Sequence, residues 1–206
     1  MKGYFITFEG IDGCGKSTAV ELLGEHLQAN GFTITSTFEP GACRIGIKLR
    51  QLLLTDEGTK PQAHTEALLF AAERAAHVQD IIIPALNAGH IVLCDRFTDS
   101  TLAYQGGGRG LSEVFLRQLN DFASFGLKPD RTFYLELPLA IARERQGLNK
   151  DRLEQEDEDF FLRITAVYKR LAAAEPQRIK TIDAAQTTKK VLADLLLHIP
   201  QYSVEK

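Results

Sequence analysis

Tyr4-Phe5-Ile6-Thr7-Phe8-Glu9-Gly10-Ile11-Asp12-Gly13-Cys14-Gly15-Lys16-Ser17 passes from a β-branched and aromatic run into a glycine-rich turn that closes on Lys-Ser. The spacing Gly10-x-x-x-x-Gly15-Lys16-Ser17 is that of a phosphate-binding loop, and it needs a strand before it and a helix after it. Both are legible: Tyr4–Phe8 reads as a buried strand, and Ser17–Ala29 as a helix with Val20, Leu23 and Leu27 on one stripe and Gly31 just past its end. A chance glycine-rich turn would carry neither flank. Glycines let the backbone curl around an anion with several N–H groups inward, and the helix adds its positive end. Residues Gly10, Ile11, Asp12, Gly13, Cys14, Gly15, Lys16, Ser17 and Thr18 are therefore the candidate nucleotide-phosphate site. Lys16 is placed for the β- and γ-phosphates and the Ser17 hydroxyl for Mg²⁺. Cys14 reads only as a small side chain.

Outward from the loop, short strand-like runs alternate with longer amphipathic ones. Strands are predicted at Phe32–Phe38, Ile91–Cys94, Thr132–Leu137 and Ile179–Ile182. Helices are predicted at Ile45–Leu54 (Ile45, Leu49, Leu52 and Leu53 on one face), Gln62–Asp80 running on toward a break or kink at Pro84, and Leu111–Phe125. Leu139–Arg145, Glu158–Ala174 and Thr187–Leu197 complete the set, and the charged stretch 146–157 suits an exposed loop. Strands separated by single helices imply βαβ units, hence an α/β fold with a parallel five-stranded sheet covered on both faces. Ligands in such sheets bind beyond the carboxyl ends of the strands.

With 206 residues, 44% hydrophobic and 25% charged, the chain fits one globular domain, 1–206. A net charge of −3 offers no basic footprint for nucleic acid. Three dispersed cysteines suit reduced thiols and not a disulfide framework, and neither a signal peptide nor a membrane span is legible, so a cytoplasmic location is expected. The five histidines show no metal-ligand spacing, and no Ser-His-Asp or Cys-His set is present.

A phosphate loop alone leaves a switch GTPase open. Asn149-Lys150-Asp151 is one residue short of a guanine-reading Asn-Lys-x-Asp, and the one Asp-x-x-Gly lies inside the loop at Asp12–Gly15, so that reading is weak. Arg50, Arg74 and Arg96 could instead clamp a second phosphate, because guanidinium grips phosphate through two parallel hydrogen bonds. Taken singly, each is as ordinary as any surface or ion-paired arginine. Asp95, at a strand end, could hold Mg²⁺ or orient an acceptor; its plain alternative is to cap the next turn.

Asp95-Arg96-Phe97-x-x-Ser100-x-x-Ala103-Tyr104-Gln105-Gly106-x-Gly108-Arg109-Gly110-Leu111 resembles the signature of thymidylate kinases. Phe8–Thr18, Glu39-Pro40-Gly41 with Arg50, Leu69–Arg74, Asp151-Arg152-Leu153-Glu154 and Phe160-Phe161…Tyr168 agree in order along nearly the whole chain. The resemblance implies a P-loop nucleoside monophosphate kinase fold with a short lid at about 143–157. It also implies direct in-line, Mg²⁺-dependent phosphoryl transfer from ATP to dTMP in dTTP biosynthesis, by a homodimer. It places dTMP on Asp12, Glu39, Pro40, Arg50, Phe70, Arg74, Arg96, Ser100, Tyr104 and Gln105. Arg74 and Arg96, helped by Arg50, would take the phosphate; Phe70 would stack on thymine. Ser100 and Gln105 would border or read the base, Tyr104 would block a 2′-hydroxyl, and Asp12 would face the 3′-hydroxyl. Metal would fall to Ser17 and Asp95.

The family divides by whether a catalytic arginine stands in the loop, where this chain has Gly13, or in the lid. Gly13 implies the lid type, typical of bacteria. It brings in Arg143, Arg145, Lys150 and Arg152, of which Arg143 and Arg152 join Lys16, Asp95 and Arg96 as the expected catalytic set. The chain departs from the family pattern at Phe38, Ala42-Cys43, Ala76 and Thr165, with a lid about one residue short; Arg44 is expected to cover for the arginine missing at 38. A kinase for another nucleoside monophosphate or a deoxynucleoside, and a nucleotide-gated binding protein without catalysis, are the competing readings.

Overall fold

The computed structural model describes residues 3–55, 60–147 and 151–199. Five strands, β1 (Tyr4–Glu9), β2 (Ile34–Phe38), β3 (Ile91–Asp95), β4 (Arg131–Glu136) and β5 (Ile179–Asp183), form one sheet in the order β2-β3-β1-β4-β5, and every pairing is parallel. The prediction of a five-stranded parallel sheet holds. The strand order reverses beside β1, so the crevice beyond its carboxyl end is where a ligand is expected, and residues 10–15 lie there.

β1 shows why these residues make a central strand. Ile6 and Phe8 enter a large apolar cluster that includes Val20, Leu23 and Leu27 of α1 (Lys16–Ala29), Ile164, Tyr168 and Leu171 of α8 (Glu158–Ala174), and Val191 and Leu195 of α9 (Thr188–Leu196). Phe5 enters a second cluster with Val78, Ile82, Val92, Cys94 and Phe97. A strand buried on both faces needs a nearly continuous apolar run. Its two polar exceptions are satisfied: the Thr7 and Thr132 hydroxyls meet at 2.7 Å, and Glu9 is bonded beneath the site.

α2 (Arg44–Leu54) packs on α3 (Ala63–His77), which runs without a break through a π-helical turn at Val78–Ile82 into α4 (Ile83–Asn87). Pro84 therefore does not stop the tract: the wide turn before it accommodates the missing N–H and the ring. The shared face predicted for α2 is not a monomer core face. Leu53 is buried, but Ile45 and Leu52 are more than half exposed, as are Ile47 and Leu68 of the adjoining surface. After β3 come α5 (Thr98–Thr101) and a π-helical segment, Leu102–Gly108, where only a motif had been legible. The set is completed by α6 (Glu113–Ala123) and α7 (Leu139–Arg145). Among the described residues no helix is long and apolar enough to cross a membrane.

Candidate active site

The loop after β1 turns on positive-φ glycines, and at Gly13 the reason is tight. Its φ is 84°, and a Cβ there would stand 2.3 Å from the Ala142 carbonyl oxygen of α7. No side chain fits, so the missing loop arginine is a packing fact of this chain. Residues Asp12 through Thr18 line a cavity of about 800 Å³, joined by Asp95 and Arg96 beyond β3 and by Arg145, Gln186 and Thr188 on the far wall. Gly10 and Ile11 lie beneath the loop, where the Ile11 carbonyl accepts the Lys16 ammonium at 3.1 Å. Gln186 and Thr188, just past β5, escaped sequence reading because no motif surrounds them.

Ser17 donates to Asp95 Oδ2 at 2.7 Å, while Asp95 Oδ1 is buried with no partner. An orphaned carboxylate oxygen beside a loop hydroxyl is the donor set a hard divalent cation takes when phosphate oxygens and water complete its shell. Among the described residues no group of three or more His, Cys, Asp and Glu could hold a metal by itself.

Arg96 is the hub. Its φ of 71° is rare for a side-chain-bearing residue and is fixed from both sides: its N–H donates to the Phe8 carbonyl at 2.9 Å, and the next N–H, of Phe97, donates to Glu9 Oε1 at 2.8 Å. Glu9 also accepts from Ser100 at 2.5 Å and from Tyr168 at 3.0 Å. Burial, then the nearby Asp99 charge, push its carboxyl up to about 7. The Arg96 guanidinium donates to Asp12 at 2.6 Å, Ser100 at 3.2 Å and Tyr104 at 3.1 Å, and lies over the Tyr104 ring. Loss of water around Asp12 opposes its ionisation, but Arg96 and Lys16 outweigh that and hold the carboxyl well below the usual range.

A second, narrow cavity of about 90 Å³ opens on the other side of Arg96. All ten residues expected to bind an acceptor, Asp12, Glu39, Pro40, Arg50, Phe70, Arg74, Arg96, Ser100, Tyr104 and Gln105, line it. Thr101, Leu54, Asp151 and Leu153 join them without having been foreseen. The two cavities share Asp12, Glu39, Arg50 and Arg96.

Two arginines, Arg74 and Arg152, are more deeply tied into the protein than the sequence suggested. Arg74 is 2% exposed and holds Glu39 at 2.8 Å, Thr101 at 2.8 Å, Asn120 at 2.6 Å and the Phe97 carbonyl at 3.0 Å, which leaves one N–H for anything else. Arg152 is 3% exposed, and Leu153 beside it is also buried, so 151–153 is not the exposed loop the charge pattern suggested. Arg152 donates to Glu66 at 2.6 Å and to the Leu53 carbonyl at 3.0 Å. Arg50 donates to the Pro40 carbonyl at 2.6 Å and lies over the Phe38 ring, while Arg44 is exposed at the start of α2. The departure at Cys43 has a use: its sulfur caps α2 by accepting from the Gly46 N–H. Arg143 is exposed, 3.7 Å from Glu158, and Arg145 donates to the Ala184 carbonyl. Lys150 lies outside the described residues.

The sequence model of the thymidylate kinase family matches residues 8–195. The chain belongs to the thymidylate kinase family. It is 45% identical over 207 residues to a thymidylate kinase of Desulfovibrio desulfuricans, covering 96% of this chain and 95% of that one. It is 50% identical over 191 residues to one of Synechococcus sp. strain JA-3-3Ab, covering 92% and 91%. A crystal structure of thymidylate kinase from Ehrlichia chaffeensis superposes with a TM-score of 0.79 at 32% identity, over 96% of this chain and 98% of that one. The family member described here is thus a phosphotransferase on a P-loop kinase fold.

Proposed function

We propose that the chain transfers the γ-phosphoryl of ATP to dTMP, giving dTDP and ADP, by direct in-line displacement. The observation that carries this reading is Arg96, whose backbone is held at positive φ and whose guanidinium is braced by Asp12, Ser100 and Tyr104 on the wall between a nucleotide-sized cavity and a second, aromatic- and amide-lined one.

The loop N–H groups and Lys16 hold the β- and γ-phosphates. Ser17 and the free oxygen of Asp95 would hold Mg²⁺, which when bound neutralises charge on the phosphates. Arg96, with Arg50, holds the acceptor phosphate so that one of its oxygens faces the γ-phosphorus, and that alignment is worth several orders of magnitude in rate. Phe70 gives the flat base an apolar face, Gln105 an amide for its edge, and Tyr104 fills the space a 2′-hydroxyl would need. Arg143 and Arg145 of α7 supply cations next to the loop as charge develops, in the place of the arginine that Gly13 excludes. No covalent enzyme intermediate is required: Cys14 is buried, and burial holds its thiol protonated and inert. The outward apolar surface of α2 and α3, with Ile45, Ile47, Leu52 and Leu68, supports a homodimer.

ADP release with Mg-ATP and a panel of nucleoside monophosphates tests the assignment. Turnover dependent on dTMP is expected. Turnover on UMP or CMP with none on dTMP would move the protein to another acceptor, and tight ATP binding without turnover on any acceptor would make it a binding protein.

A further inference from the structure

Glu66, in the first turn of α3, had no role in the sequence. It is fully buried and gathers three donor side chains from two separate segments, Gln105 and Arg109 from one and Arg152 from the other. Gln105 Nε2 donates to its Oε1 at 2.9 Å, and Arg109 Nε and Nη2 reach Oε1 and Oε2 at 3.2 and 3.1 Å. Arg152 Nη2, from the lid side, reaches Oε2 at 2.6 Å. A carboxylate buried for packing alone needs one cation; this one has two, and it spends an oxygen on a neutral amide at the wall of the acceptor cavity.

We propose that Glu66 is a positioning residue for acceptor specificity, fixing which end of the Gln105 amide is available to the base while anchoring the lid through Arg152. The proposal rests on the thymidylate reading of the site. Burial works against ionisation of Glu66, but the hydrogen bonds from Arg109 and Gln105 prevail and keep its carboxyl below the ordinary range. An ionised carboxylate only accepts, so it selects the NH₂ end of the amide. Among the described residues no donor engages Gln105 Oε1, and Gln105 lines the acceptor cavity. The group left for an occupant is therefore an acceptor, which suits a base whose ring nitrogen carries hydrogen, as in thymine. It opposes one whose ring nitrogen is itself an acceptor, as in cytosine. The same carboxylate grips the lid segment 151–156, which Arg109 ties further through Glu156 at 2.7 Å.

The test compares dTMP with 5-methyl-dCMP, which has the same shape and methyl group but the opposite ring-nitrogen polarity. In Glu66→Gln the facing group can accept or donate, the Gln105 amide is released, and the preference for dTMP in kcat/KM is expected to fall at least tenfold, carried by the KM for dTMP, with the KM for ATP unchanged. Glu66→Asp keeps the charge both arginines need and shortens the reach to Gln105. It is expected to fold and to lose discrimination in the same direction, so it carries the test if the amide variant unfolds. In the wild type, the Gln105 side-chain NH₂ protons should exchange slowly with water and keep their NMR shifts when dTMP binds. Variants that lose turnover on both acceptors in proportion, or a freely exchanging Gln105 amide, would overturn the proposal. Absence of wild-type turnover on dTMP would instead overturn the thymidylate reading beneath it.

Discussion

The two cavities meet at Asp12, Glu39, Arg50 and Arg96 but are built in opposite ways. The larger cavity takes one unbroken stretch of its wall, Asp12 to Val20, from the glycine-rich loop and the start of α1, where inward backbone N–H groups are the expected grip, and adds Asp95, Arg145, Gln186 and Thr188 from other segments. The smaller cavity is walled by side chains from α2, α3, the 96–105 segment and residues 151–153, held by buried charges: Arg74 on Glu39, Arg152 and Arg109 on Glu66, Arg96 on Asp12. A backbone site depends on few side-chain identities. A side-chain site holds only if every buried charge keeps its partner, because an unpaired one costs several kcal/mol.

That contrast can be broken or sharpened by experiment. The largest effect is expected for Lys16→Ala, the one side chain the donor cavity cannot spare: kcat should fall on the order of 10³-fold with every acceptor, at unchanged KM for dTMP. A loss confined to the acceptor KM would erase the distinction between the two sides. Gly13→Ala comes next. The positive φ and the 2.3 Å approach to Ala142 predict a stability loss of about 3 kcal/mol, read as a thermal midpoint lower by roughly 6–12 °C. An unchanged midpoint would show that α7 yields freely. Arg96→Ala should lower kcat/KM for dTMP about 100-fold with ATP affinity retained, measured by titration of the nucleotide alone. Equal loss of ATP binding would place Arg96 on the donor side.

The smallest effect belongs to Glu73, whose Oε1 accepts the Gly41 N–H at 2.8 Å and whose Oε2 is buried without a partner. Burial, then the neighbouring Glu39 charge, push its carboxyl from 4.5 up to about 7. The folded state therefore binds this proton more tightly than the unfolded state. The favourable term is complete below about pH 4.5 and is lost as pH rises through 7. Glu73→Gln removes the cost of the charge, so the variant should be more stable than wild type at pH 8 by roughly 2 kcal/mol, and the gap should close below pH 5. Denaturant melts at the two pH values read this directly; equal stability at both would mean that Glu73 finds a partner for its charge.

The same division explains what was legible in the residues. Strands came through to within a residue or two at most ends, since β1 and β3 are apolar on both faces and leave no ambiguity of period. The loop part of the larger cavity, Asp12 to Thr18, is contiguous, so spacing alone located it, whereas Gln186 and Thr188 on the same wall carry no motif. Arg50, Arg74 and Arg96 could be singled out as a phosphate clamp from their chemistry, but the base-facing residues surfaced only through a resemblance, because nothing in the order of residues says that Phe70 and Gln105 face one cavity. Arg152 and Glu66 show the limit most clearly. A charged loop and a glutamate on an amphipathic helix both read as solvated surface, and only tertiary folding buries one against the other. The outward-facing stripe of α2 misled for the reverse reason: apolar periodicity reports that a face is to be covered, not by what.

The contact between Gly13 and Ala142 also constrains descent and redesign. Placing an arginine at position 13 of the loop would be, on paper, one substitution, yet the first atom added strikes the backbone of α7 before the side chain could reach the cavity. The helix would have to retreat first, at a cost with no catalytic return. A side chain at position 13 and α7 in its present place are thus mutually exclusive, and any substitution in the loop calls for a compensating change in Leu139–Arg145.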